Sequence, residues 1–177
     1  NDFGRAFAAG MSQALAANGF SEAKGGLFKE QVDDFTNQVL AFRDGGARIV
    51  AGHVFPQHFA TFWTQMKQAG LEIDAATIAG AFLFPSGVEA LGDQGAGMSS
   101  EVWFNNQLPF ASSLTGQSAN AFCASYEQQT GRQWAQPMGY AHALWEIAFK
   151  ALKTSGDPKN RAAVRDAIAD LDFPSIL

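Results

Sequence analysis

The sequence predicts an α/β fold, a doubly wound and mainly parallel sheet with helices on both faces. Short apolar runs alternate with segments whose apolar residues recur at helical spacing, and glycines mark the turns between them. The best strand candidate is nearly continuous in apolar residues, as expected for a strand that is buried on both faces. No internal repeat or low-complexity linker interrupts the 177 residues, so we expect one domain over residues 1–177.

The chain begins with a helix. Asn1 and Asp2 are favourable N-cap residues, and apolar side chains follow at i, i+4 spacing, which predicts a helix over residues 2–18. A weak strand candidate covers residues 26–29. A second predicted helix begins at the acidic pair of residues 33 and 34 and ends at a pair of glycines.

Three further strands are predicted with helices between them. The first covers Ala47–Gly52 and precedes a helix that has Pro56 near its first turn. The second covers Ala75–Phe84 and is stopped by Pro85, and the third covers Glu101–Phe104. Because the carboxyl ends of parallel strands share one edge of the sheet, we expect a ligand to bind there.

The remaining segments are predicted as turns and helices. A short helix follows Pro85, residues 92–97 form a glycine-rich turn, and residues 105–113 form a polar loop. Three helices complete the chain, over residues 116–130, 140–154 and 161–171.

Composition excludes several function classes. Charged residues make up 16% of the chain, the net charge is -5, and no basic stripe is present, so nucleic acid is not expected as a partner. Cys123 is the one cysteine and falls inside a predicted helix, where an inert buried thiol is expected. The three histidines lack metal-binding spacing, and we predict no catalytic residue, no metal and no cofactor.

Aromatic residues indicate where a ligand would bind. The chain holds 16 Phe and 4 Trp, most of them expected in the core, but several fall at strand ends or at a helix start that faces them. The candidate ligand-binding residues share this placement: Phe3, His53, Val54, Phe55, Ala79, Gly80, Ala81, Phe82 and Trp103.

Several short motifs resemble one family. Their order along the chain matches that of the second lobe of leucine/isoleucine/valine-type periplasmic binding proteins. The opening segment resembles the family's D-x-x-[YF]-G helix, and the later segments resemble its D-F-[ST]-x-x-[LV], A-x-x-x-G-L, F-x-x-x-Y-x-x-x-x-G and Y-D-A motifs. The matching segments are residues 1–5, 33–39, 48–53, 68–71, 121–131 and 140–143, with His142 where the family has Asp.

The resemblance implies a role in transport. It implies that the chain is one lobe of a longer, two-lobed protein without catalytic activity, whose first lobe lies outside this sequence. Such a protein binds a small solute between its lobes and presents the closed form to an ABC permease in the membrane. The expected location is periplasmic or otherwise extracytoplasmic, with a lipid anchor as one form of attachment.

The resemblance also assigns ligand contacts. The aromatic residue that opens the lobe falls on Phe3, and the aromatic residue after the third strand falls on Phe55 or Val54. The family's ammonium-pairing acid falls within residues 78–81, which contain no acid here. An unpaired buried ammonium is costly, so the sequence predicts a less polar solute, such as an aromatic or aliphatic carboxylate, ahead of an ordinary amino acid.

Two alternatives stay open at this point. The same lobe occurs in receptors and transcription regulators that sense a ligand, and the lobe sequence hardly separates sensing from transport. The other alternative is a flavodoxin-like enzyme or nucleotide binder, which requires a phosphate loop at a strand-to-helix junction. The glycines at 92–97 do not have that context.

Overall fold

The computed structural model describes residues 2–29 and 32–177, so the predicted N-cap residue Asn1 lies outside the described residues. The chain divides into two compact units, Asn1–Glu101 and Val102–Leu177. The single lobe expected over residues 1–177 stays a prediction.

The described part of the first unit contains a three-stranded sheet. Its strands are β1 (Ile49–His53), β2 (Ala75–Ala79) and β3 (Met98–Ser99), in the order β1-β2-β3. Both pairs are parallel, with Ile49 opposite Ala75 at the start of β1. The predicted α/β class with a parallel sheet is confirmed.

Helices alternate with these strands. The bounds are α1 (Asp2–Ala17), α2 (Thr36–Asp44), α3 (Pro56–Gln68) and α4 (Pro85–Glu89), followed by a 3₁₀ helix over Gly92–Gly95. No described helix has the length and apolar character required to cross a membrane.

Three strand predictions are wrong in whole or in part. The described residues 20–29 form no strand, and β2 ends at Ala79 because Gly80 takes a φ of +79°, which turns the chain away from the sheet. The third strand is not Glu101–Phe104 but the two-residue segment before it, where Ala76 pairs with Met98. The turn predicted at residues 92–97 contains the 3₁₀ helix instead.

The core of the first unit is aromatic. Helix α3 buries Phe59, Phe62, Trp63 and Met66, whose spacing places them on one helix face. They pack in one cluster with buried strand residues and with Phe35, which meets Phe62 at 5.7 Å between ring centroids. This packing holds α2 and α3 in place beside the strands.

The second unit is helical. Its helices are α5 (Ala119–Thr130), α6 (Pro137–Thr154) and α7 (Arg161–Ala169), close to the predicted ranges. The Ser118 side chain caps α5 by accepting a hydrogen bond from the Ala121 N–H, and the Asn160 side chain caps α7 in the same way. Phe104 is fully buried in the core of this unit.

A buried carboxylate joins three segments of the second unit. Glu146 on α6 is 0% exposed and accepts hydrogen bonds from the Ser113 N–H (2.5 Å) and the Ser113 hydroxyl (2.9 Å). Its other oxygen accepts from the Ile176 N–H at 3.0 Å. These bonds satisfy the charge and connect α6 to the loop before α5 and to the end of the chain.

Candidate ligand-binding site

The carboxyl ends of β1 and β2 lie side by side. His53 is the register partner of Ala79, and the Val54 N–H donates to the Ala79 carbonyl at 3.0 Å, which extends the pairing by one residue. The predicted candidates at residues 53–55 and 79–82 are therefore brought to one edge of the sheet. We call it the carboxyl edge.

Aromatic rings surround the imidazole at this edge. The ring centroids of Phe3, Phe7 and Phe55 lie 5.0, 5.9 and 5.2 Å from that of His53, all in edge-to-face geometry. We call these four residues the His53 cluster. Phe3 and Phe55 are 59% and 43% exposed, so the cluster presents an apolar surface to solvent beside a polar ring.

Phe7 is not among the ligand-binding residues predicted from the sequence. It lies four residues after Phe3 on α1, and this spacing places both rings on the same side of the helix. The i, i+4 spacing was therefore a sufficient signal for including Phe7 with Phe3.

Gly80 allows the imidazole to approach the backbone closely. A Cβ atom at this position would lie 3.1 Å from His53 Nε2 and 3.3 Å from the Val54 carbonyl oxygen. The left-handed φ of +79° would also strain any residue with a side chain. Both the close contacts and the backbone conformation therefore favour glycine at this position.

A carboxylate reaches the same glycine from the segment after β3. Glu101 Oε1 accepts a hydrogen bond from the Gly80 N–H at 2.8 Å. The Ser100 hydroxyl lies 3.0 Å from Glu101 Oε2 and 2.8 Å from the Ile78 carbonyl oxygen. Glu101 is not among the residues predicted for the site, because an acid was expected only within residues 78–81 and Glu101 was assigned to a strand.

The other candidates differ in exposure. Val54 and Ala81 are buried, and Phe82 packs its ring against Phe59 at 5.4 Å, so these three side chains contribute to the core of the first unit. Ala79 is half-buried at the end of β2. Phe3, His53, Phe55 and Gly80 are the candidates that surround the exposed part of the carboxyl edge.

Trp103 belongs to the second unit. It is 44% exposed, its backbone N–H donates to the Gln136 side chain at 2.8 Å, and its ring meets Tyr140 at 5.5 Å.

The second unit contains a serine–histidine pair that the sequence did not reveal. Ser112 Oγ lies 2.7 Å from His142 Nε2, but Ser112 is 3% exposed. Its Oγ also accepts hydrogen bonds from the backbone N–H groups of Leu114 and Thr115, both at 3.1 Å. A hydroxyl that is buried and fixes a turn in this way cannot reach a substrate, so the pair is structural.

Two titratable groups have pKa shifts with a clear physical cause. Burial, with a contribution from Glu127, raises the pKa of the Cys123 thiol to about 11, which keeps it protonated and unreactive. The hydrogen bond from Arg48 lowers the pKa of Asp74, and this pair lies beside the opposite ends of β1 and β2. Among the described residues, no group of three His, Cys, Asp or Glu side chains is placed to hold a metal ion.

Comparison with known proteins identifies related folds. A family model described as "periplasmic binding protein" matches residues 1–177. No curated protein gives a significant sequence match.

Three solved structures share the fold. A periplasmic binding protein type 1 from Bordetella pertussis Tohama I aligns with a TM-score of 0.72 at 15% identity, over 93% of this chain and 46% of its own. A candidate branched-chain amino acid ABC transporter from Rhodospirillum rubrum aligns with a TM-score of 0.68 at 17% identity, over 99% and 49%. A leucine-binding protein from Thermotoga maritima MSB8 aligns with a TM-score of 0.65 at 16% identity, over 80% and 38%. This chain thus spans less than half the length of each neighbour, and identities this low establish only the fold.

Proposed function

Because the chain belongs to the periplasmic binding protein family, we propose that it is the ligand-binding lobe of the solute-binding component of an ABC import system. The observation that carries this proposal is the family match along the whole of residues 1–177. The names of two structural neighbours, a leucine-binding protein and a candidate branched-chain amino acid ABC transporter, support a role in transport.

The proposed binding surface is the carboxyl edge of the first unit. Phe3 and Phe55 offer exposed aromatic faces, and His53 and Glu101 offer polar groups beside them. An apolar wall with a few placed polar groups is the usual composition of a small-molecule site. The solute lies against this edge and is enclosed by a lobe that is outside this chain.

The proposed mechanism is ligand-driven closure. A solute that contacts both lobes stabilises the closed form by the difference between its contacts in the closed and open forms. The closed form is then recognised by an ABC permease in the membrane, which places the protein outside the cytoplasm. The chain performs no catalytic step and needs no cofactor for this role.

The proposed solute is a small organic molecule, either an aromatic or aliphatic carboxylate or an amino-acid-like compound. The rings of the His53 cluster supply the contact for its apolar part. The size of the apolar group that the site can hold also depends on residues of the other lobe.

A thermal-shift screen of the intact protein tests the proposal. The screen uses the twenty amino acids and a set of aliphatic and aromatic carboxylic acids. A specific solute at one hundred times its dissociation constant adds about 2.7 kcal/mol to the free energy of unfolding. If no compound of either class raises the melting temperature in a saturable way, the proposed function is wrong.

Variants then locate the binding surface. We expect Phe3→Ala and Phe55→Ala to weaken binding of the stabilising solute between about twofold and tenfold, since each removes one aromatic contact. Phe20→Ala is the matched control, because Phe20 is 55% exposed and follows the last turn of α1, whereas Phe3 lies in the first turn. Equal losses in Phe3→Ala and Phe20→Ala would place the solute elsewhere.

A further inference from the structure

Helix α6 turns its largest apolar side chains outward. Leu144 and Trp145 are each 63% exposed, and Phe149 is 57% exposed. The residues of α6 that are buried in the second unit are small apart from one carboxylate, and they are Gly139, Ala143, Glu146 and Ala151. A helix at the surface of a globular protein has the opposite arrangement, with large apolar residues inside and polar residues outside.

The outward apolar residues form a continuous stripe along the helix. They recur at the i, i+3, i+4, i+7 spacing that places side chains on one helix face. The stripe consists of Ala141, Leu144, Trp145, Ala148, Phe149 and Leu152, and we call it the α6 stripe. All six residues are apolar. The rings of Trp145 and Phe149 lie 6.2 Å apart, so the two largest side chains form one aromatic surface.

The α6 stripe has the pattern of a helix face that packs against another layer of protein. Its spacing and its lack of charge are those of a buried face, although it is exposed in this chain. Large exposed apolar patches on soluble proteins mark interaction surfaces. A helix that is apolar on one face and buried on the other is therefore expected between two layers.

The lengths of the structural neighbours favour a cover within the same polypeptide. The structures from Bordetella pertussis and Rhodospirillum rubrum align with 93% and 99% of this chain, so both alignments include most of the second unit. The same alignments use only 46% and 49% of the neighbours' own chains. A surface on the same polypeptide meets the stripe at a high effective concentration, whereas a second copy loses translational and rotational freedom on association.

We propose that the α6 stripe packs against an apolar surface of the other lobe of the same protein. The proposal rests on the proposed two-lobed binding protein and adds a role for the second unit. Helix α6 attaches this unit to the other lobe through a permanent apolar interface that contains no solute. Trp145 and Phe149 are the central contacts, because they present the largest exposed area of the stripe.

Cysteine labelling of the intact two-lobed protein tests the proposal. Ala141→Cys places a thiol within the stripe by a small change, and Gln128→Cys is the control, because Gln128 is exposed in a polar segment of α5. The natural Cys123 is buried, and labelling of the wild type gives the baseline. In the native protein without solute, we expect a maleimide to modify Ala141→Cys at least about tenfold more slowly than Gln128→Cys. In urea the two rates should be equal.

The Trp145→Ala variant of the intact protein gives an independent measurement. Truncating a large aromatic side chain is costly only where that side chain is buried. We expect Trp145→Ala to lower the melting temperature by about 4 °C or more, and Gln128→Ala to leave it unchanged. If Trp145→Ala does not fold, the labelling rates decide the question.

Two results would overturn the proposal. Equal labelling of Ala141→Cys and Gln128→Cys in the native protein would show that the stripe is open to solvent. Protection that disappears when dilution converts a dimer to a monomer, as measured by light scattering, would assign the stripe to a second copy. Protection in a monomer supports the proposal. Neither experiment uses a solute, so its outcome is separate from that of the thermal-shift screen.

Discussion

Replacing Gly80 with alanine tests the geometry of the carboxyl edge. The substitution has two consequences. The φ of +79° costs an L-residue about 1–2 kcal/mol in the free energy of unfolding. The new Cβ also lies 3.1 Å from His53 Nε2 and 3.3 Å from the Val54 carbonyl oxygen, contacts that require a neighbour to move by a few tenths of an ångström.

A second glycine separates these two effects. Gly46 has a φ of +66°, and a Cβ atom there would meet nothing within 4 Å. Gly46→Ala therefore has the backbone cost alone. The imidazole of His53 is the part near Gly80 that can rotate, whereas the Val54 carbonyl belongs to the backbone that continues β1. We expect both variants to lose about 1–2 kcal/mol and only Gly80→Ala to displace the His53 ring.

Urea denaturation measures the stability of both variants, and the NMR resonances of the histidine rings report the environment of His53. Solute titration completes the comparison, with affinity reduced in Gly80→Ala and unchanged in Gly46→Ala. If Gly80→Ala shows the wild-type His53 resonances and affinity, His53 does not lie against Gly80 in the way described. If Gly80→Ala costs no stability, the left-handed conformation is absent.

Two further predictions concern stability. Glu146→Ala should lower the free energy of unfolding by about 2 kcal/mol or more, because it removes the acceptor of two Ser113 donors and leaves the buried Ile176 N–H unpaired. A loss below about 1 kcal/mol in urea denaturation would contradict this, and Glu146→Gln should cost less. Hydrogen bonds from Thr36 lower the pKa of Asp34, so the contribution of Asp34 is present above its unfolded pKa of about 3.9 and is lost as pH falls through the lower folded value. Asp34→Asn should therefore destabilise the chain more at pH 6 than at pH 2.5, and equal losses would refute the assignment.

Local pattern was sufficient to predict most helices. The buried face of α3 has the spacing of an amphipathic helix, and Pro56 and Gly70 mark its limits. The caps of α5 and α7 are also visible as a serine and an asparagine before an apolar segment. These features act within a few residues of one another, so a single sequence records them.

Long-range packing explains the strand errors. Residues 101–104 have the composition of a strand, but Phe104 is fully buried among helices of the second unit, where Gly139 leaves space for its ring. The true β3 has only Met98 and Ser99, a run too short to distinguish from a turn. This strand forms because its backbone pairs with β2, and such pairing between distant segments leaves no local sequence pattern.

The difference between local pattern and long-range packing also explains which residues of the candidate site could be predicted. Phe3, His53 and Phe55 could be predicted because each lies at the end of an element that the sequence identifies. Glu101 could not, because its position depends on the pairing of β2 with β3. Gly80 could be predicted as a site residue from its place after a strand. Its contacts with the His53 imidazole and the Glu101 carboxylate are visible only in three dimensions.

The chemical groups differ along the carboxyl edge, because each strand ends in a different kind of residue. The end of β1 delivers an imidazole with aromatic neighbours, the turn after β2 delivers a backbone N–H without a side chain, and the segment after β3 delivers a carboxylate. The N–H is already bound to the carboxylate, so the polar groups left to act on a solute are the Glu101 carboxylate, an acceptor, and the His53 imidazole. A solute that binds at the proposed edge would therefore meet one acceptor and one imidazole, with the aromatic rings beside them for its apolar part.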